Sequence, residues 1–101
     1  MPVLGRKMEL NQAFGRVFAR LRTRNGLTQE DFHPAATDRY VRMLEKGKAS
    51  PTIAMFCELS SVLDVSPAVL MALTTAEAAG LTEEDGLQAL QAALDDTKRV
   101  A

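Results

Sequence analysis

Tryptophan is absent from these 101 residues, and four phenylalanines and one tyrosine are all the aromatics. Nothing alternates apolar and polar with period two, so no sheet is expected. The plentiful alanine, leucine and methionine favour helix instead. Cys57 is the single cysteine, which excludes an intramolecular disulfide and any metal site built on paired thiolates, and suits a reducing compartment. It reads as a small, partly buried residue at the margin of a helix face. His33 is the single histidine and precedes Pro34, where it reads as a surface turn residue without companions for a metal site. No glycine-rich phosphate loop and no nucleophile elbow occurs. The expectation is a protein that is not an enzyme, with no catalytic, cofactor or metal residues. The opening MPVLGRKMEL lacks the apolar core of a signal peptide, and no run approaches a membrane span. A cytoplasmic protein without membrane contact is expected.

Length bounds the answer to one compact domain and an added element, and a chain this short gains from oligomerisation. The net charge of −1 conceals an asymmetry. Residues 1–50 hold ten basic against five acidic side chains, a net +5, and residues 51–101 hold two against eight, a net −6. A basic half joined to an acidic half points to a polyanionic partner, although charges also fall unevenly by chance in short chains.

Leu10, Phe14, Val17, Phe18 and Leu21 form one helical stripe in a segment ending at Asn25-Gly26. Thr28, with Asp31 three positions later, caps a second helix. Pro34 pushes His33 out of helical geometry, so this helix is short and ends near Phe32. Thr37 caps a third helix, Asp38–Lys46, which Gly47 stops. Ser50-Pro51 and Ser66-Pro67 each pair an N-cap serine with proline and open a fourth and a fifth helix. The fourth runs to about Leu63 and turns Ile53, Phe56, Leu59 and Leu63 to one face; the fifth carries Val69, Leu70 and Leu73 inward. Alanine-rich sequence over residues 74–80 either continues the fifth helix or acts as a joint. A sixth helix starts at Thr82 with Leu87, Leu90 and Leu94 in line, and its Glu83, Glu84 and Asp85 complement the helix dipole.

A short helix, a tight turn and a second helix with basic residues on its outer face describe a helix-turn-helix. Val41 and Leu44 face inward, whereas Arg39, Arg42 and Lys46 share the opposite face. Taken alone, such a face is more often merely solvated. The order of residues adds specificity: LRTRNGLTQEDF, then TDRYVRMLEKGKASPTI, then ELSSVLDVSP. Over residues 10–73 this resembles the Cro and phage-repressor type of helix-turn-helix, the XRE family. The features carrying the resemblance are Leu27-Thr28-Gln29-Glu30, Tyr40-Val41, Glu45-Lys46-Gly47, Pro51, and the Leu59, Leu63, Val65 spacing.

The resemblance implies an all-α, five-helix, lambda-repressor-like domain that binds double-stranded DNA. Arg39 and Arg42 would read base edges, with Asp38 offered to cytosine, because a guanidinium fork matches guanine O6 and N7. Gln29 and Thr37, at the starts of the two helices, belong to the same DNA-binding set, Gln29 on a phosphate. Tyr40, Lys46 and Lys48 would touch phosphates, which position without specifying sequence. Arg22 would pair with Glu45 as a structural tie between the first and third helices.

One departure stands out. Only His33-Pro34-Ala35-Ala36 joins Phe32 to Thr37, about two residues fewer than the family's usual connection. The resulting organisation is an N-terminal arm over 1–9, the DNA-binding domain over 10–73 and a helical extension over 74–101. The expected function is a repressor-like, sequence-specific transcriptional regulator acting as a homodimer on a palindromic operator. The alternative, which the short connection keeps open, is a protein-interaction module that retains the fold without reading DNA. In the extension, Leu87, Leu90 and Leu94 either pack on the body, form a dimer seam, or meet a protein partner.

Overall fold

A computed structural model describes residues 8–100. Of the arm over 1–9, residues 1–7 lie outside the described residues. The Glu9 carboxylate accepts the Asn11 N–H at 2.6 Å and caps α1, Leu10–Arg24. Phe14, Val17, Phe18 and Leu21 are buried along its length. Leu10, expected to head that stripe, is 50% exposed, because it sits in the first turn at the rim of the body.

The second expected helix is a single 3-10 turn, Gln29–Phe32. Asp31 accepts the Thr28 N–H at 2.7 Å, and Phe32 is fully buried against Phe18, with ring centroids 4.9 Å apart. The chain leaves through a cis His33–Pro34 bond and enters α2, Asp38–Glu45. The Thr37 hydroxyl caps α2 by accepting the Tyr40 N–H at 3.1 Å. Val41 and Leu44 are fully buried, which turns the other side of α2 outward.

The next helix, α3, spans Ile53–Val62 and departs from expectation at its start. Its cap is Thr52, whose hydroxyl accepts the Met55 N–H at 3.1 Å, so Pro51 lies before the helix. Two side chains differ from expectation as well. Leu59 and Leu63 are fully buried, but Ile53 is 86% exposed and Cys57 is exposed. At about 100° per residue, Ile53 lies roughly 100° from the middle of the Leu59–Leu63 face and Cys57 roughly 140°. Neither reaches the core.

Ser66 and Pro67 open α4, Pro67–Ala78, with the Ser66 hydroxyl accepting the Val69 N–H. Leu70 and Leu73 point inward and Val69 is half-buried. The alanine-rich stretch continues this helix to Ala78, so the line drawn after residue 73 falls inside α4. Thr82 then caps α5, Glu83–Val100, by accepting the Asp85 N–H at 3.1 Å.

No strand occurs among the described residues. Five α-helices and one 3-10 turn surround a core of Phe14, Phe18, Phe32, Leu44, Leu59 and Leu70, the all-α arrangement expected. The orientation of α2 depends on a glycine. A Cβ on Gly15 would stand 2.4 Å from the Leu44 carbonyl oxygen and 2.8 Å from that of Glu45. Only a residue without a side chain lets α1 approach the end of α2 so closely.

Candidate nucleic-acid interface

Because Val41 and Leu44 are committed to the core, α2 projects Arg39, Arg42, Met43 and Lys46 into solvent. Arg42 and Asp38, one turn apart, form an exposed ion pair at 3.1 Å. The hydrogen bond from Arg42 holds the Asp38 carboxyl below its usual range, so it stays anionic. Arg39, Lys46 and Lys48 form no ion pair among the described residues. These three cations and the paired Arg42 are available to a polyanion.

Gln29, Asp38 and Arg42 line one polar cleft of about 440 Å³ between the 3-10 turn and α2, with Arg22, Thr28 and Glu30. The Gln29 amide donates to Glu45 Oε1 at 3.0 Å and is half-buried. Thr37 is exposed, its hydroxyl spent on the cap. Tyr40 is half-buried against the core. Lys46 caps the C-terminal end of α2, and Lys48 follows beyond Gly47.

Beneath the outer face lies the tie that holds α2 in place. Arg22 Nε donates to Glu45 Oε2 at 2.6 Å and Nη2 to Oε1 at 3.2 Å, while Nη1 donates to the Leu27 carbonyl at 2.9 Å. The two side chains are only 16% and 12% exposed. One ion pair therefore joins α1, the 3-10 turn and the end of α2.

Two features escaped the sequence reading. Met43 is 38% exposed on the outer face of α2, four residues after Arg39 and three before Lys46. That spacing was the available signal, but an apolar residue invites an inward assignment. An apolar side chain there suits a thymine methyl. The second feature is the fate of the basic half. Arg20 donates to Glu83 at 2.8 Å and to Glu77 at 3.1 Å, and Arg24 donates to Glu83 at 3.0 Å. Arg16 stands 3.9 Å from Glu77. Arginines 16, 20 and 24 recur every four residues, so they share the face of α1 that meets α4 and α5. The charge asymmetry is thus partly spent inside the molecule.

Leu87 and Leu94 on α5 are 42% and 48% exposed, and Leu90 is half-buried. No single helix among the described residues is long and apolar enough to cross a membrane.

The helix-turn-helix family pattern matches residues 18–70, from the middle of α1 into α4. This chain belongs to the XRE-type helix-turn-helix family of DNA-binding transcriptional regulators. An uncharacterized HTH-type transcriptional regulator, y4dJ of Sinorhizobium fredii, is 36% identical over 69 residues, which are 66% of this chain and 90% of that protein. The crystal structure of the clp gene regulator ClgR from Corynebacterium glutamicum shares the fold, with a TM-score of 0.65 and 24% identity. That likeness covers 94% of this chain and 93% of ClgR. The family match begins inside α1 and ends inside α4, so α5 lies outside it.

Proposed function

We propose that this regulator is a cytoplasmic, repressor-like homodimer that places one α2 from each copy in successive major grooves of an inverted-repeat operator. The observation that carries the reading is the outer face of α2, where Arg39, Arg42 and Lys46 stand exposed over a fully buried Val41 and Leu44. A helix about 10–12 Å across fits a major groove about 12 Å wide. Arg39 and Arg42 are the base readers, and Met43 adds an apolar contact. Asp38 becomes an acceptor for cytosine once Arg42 exchanges its carboxylate for a guanine edge. Gln29, Thr37, Tyr40, Lys46 and Lys48 form the phosphate-contacting rim that sets register. The Arg22–Glu45 tie fixes the tilt of α2 without touching DNA.

The test is selection of bound duplexes from a random pool at near-physiological salt, followed by sequencing. An enriched inverted repeat with half-site centres about 34 Å apart supports the proposal. Enrichment of no motif by a folded protein would leave the fold as a protein-interaction module.

A further inference from the structure

The acidic half of the chain carries a surface that DNA reading does not use. Between α4 and α5 runs an apolar groove of about 510 Å³, with Ala68, Met71, Ala72, Leu90 and Ala93 among its lining residues. Its floor is shallow because the helices nearly touch at one end, where a Cβ on Gly86 would stand 2.4 Å from the Ala76 Cβ. Met71 is 44% exposed at the groove, and beside it Leu87 and Leu94 are 42% and 48% exposed, two turns apart on α5. From residue 91 to residue 98 every residue of α5 is exposed. The same chain therefore presents an apolar groove and an uncovered leucine row, which is what a self-complementary two-fold contact requires.

Charge specifies the direction of pairing. On a helical projection the row through Leu87 and Leu94 has Lys98 at its C-terminal end and Glu84 at the flank of its N-terminal end. Glu83, on the other side of that end, is held by Arg20 and Arg24. Asp95 lies at the edge of the row's C-terminal half, and Asp85 and Asp96 point away from it. Glu84 and Lys98 are exposed and form no ion pair among the described residues. A parallel pair would set Glu84 beside Glu84 and Lys98 beside Lys98, whereas an antiparallel pair sets each Glu84 beside a Lys98. Antiparallel helix dipoles favour the same choice.

We infer that the occupant of this face is a second copy of the chain, with the two α5 helices packed antiparallel through Leu87, Leu90 and Leu94, Met71 at the edge, and Glu84–Lys98 pairs at both ends. The inference rests on the dimeric reading above and locates its interface. It also couples the seam to the reading head. Glu83, at the start of α5, is held by Arg20 and Arg24 of α1, and α1 meets α2 at Gly15. The pairing geometry of α5 thereby sets the separation of the two α2 helices.

Sedimentation equilibrium of the full chain tests this, with far-UV circular dichroism confirming that each variant is folded. Leu94→Asp, at an exposed position, is expected to weaken dimerisation more than about tenfold, since the residue is removed from both sides of the contact. Glu84→Lys and Lys98→Glu each weaken the dimer, and the double swap Glu84→Lys, Lys98→Glu restores it. A wild-type chain that stays monomeric would overturn the dimeric reading and this surface with it. A dimer indifferent to Leu94→Asp would overturn the surface alone, and a double swap without rescue would overturn the antiparallel arrangement.

Discussion

Replacing Glu45 by alanine removes the acceptor of three hydrogen bonds, from Arg22 Nε at 2.6 Å, Arg22 Nη2 at 3.2 Å and Gln29 Nε2 at 3.0 Å. Burial decides the size of the loss. An exposed ion pair is worth about 0–1 kcal/mol. Breaking a fully buried one by deleting a partner costs about 3–5 kcal/mol, because a charge is left uncompensated. With side chains 16% and 12% exposed, this pair lies between those limits. Arg22 also keeps the Leu27 carbonyl at 2.9 Å, which partly satisfies the guanidinium. The expected cost is about 2–3 kcal/mol, and for a domain of this size about 2 kcal/mol lowers Tm by roughly 8–16 °C. Thermal and urea unfolding monitored by circular dichroism measure it. The volume-matched pair Arg22→Met, Glu45→Leu is expected to recover most of the loss, since desolvation largely offsets the attraction in such pairs. A loss below about 0.5 kcal/mol for Glu45→Ala would class the pair with surface pairs and refute its role in holding α2.

Gly15→Ala gains roughly 0.5–1 kcal/mol of helix propensity but drives a methyl into two backbone carbonyls, so a net loss of about 1–2 kcal/mol is expected in urea unfolding. Its DNA affinity should fall further than stability alone explains, because α2 is pushed from α1. For Glu83, the hydrogen bond from Arg24 comes first and that from Arg20 adds to it, and together they hold the carboxyl below its usual range despite burial. A depressed carboxyl stabilises the fold above its unfolded value, about 4.3, and loses that contribution as pH falls through the folded value. Glu83→Gln should therefore be less stable than wild type at neutral pH, and the difference should close below pH 4 or so. Lys48→Ala should weaken all duplexes alike and reduce the salt slope by about one. Arg24→Ala should leave that slope unchanged, since Arg24 is engaged with Glu83.

Much of the architecture was legible because caps and stripes are local. Thr28, Thr37, Ser66 and Thr82 all stand where a hydroxyl residue starts an element, and Pro34 ends the second element after one turn. The inward pair Val41 and Leu44 determined which side of α2 faces out. The errors came where two local signals competed. Both Ser50-Pro51 and Thr52 can open α3, and Thr52 is the one that does. Ile53 and Cys57 point outward for a separate reason, their angular distance from the buried Leu59 and Leu63. Long-range pairing was hidden for a different reason. Arg20 and Glu83 are 63 residues apart and no periodicity connects them, so a surplus of charge that pointed to a polyanionic partner is in part an intramolecular clasp.

The most direct measurement of the central claim, that the outer face of α2 reads bases, is the duplex selection repeated with Arg39→Ala and with Arg42→Ala. Three residues of helix separate these side chains, about 4.5 Å along the axis, so they reach neighbouring base pairs. Each variant is expected to relax one position per half-site, a different one for each, at a cost of about 1–3 kcal/mol against the wild-type motif. Motifs unchanged in both variants, with both proteins folded, would contradict the assignment of α2 as the reading helix.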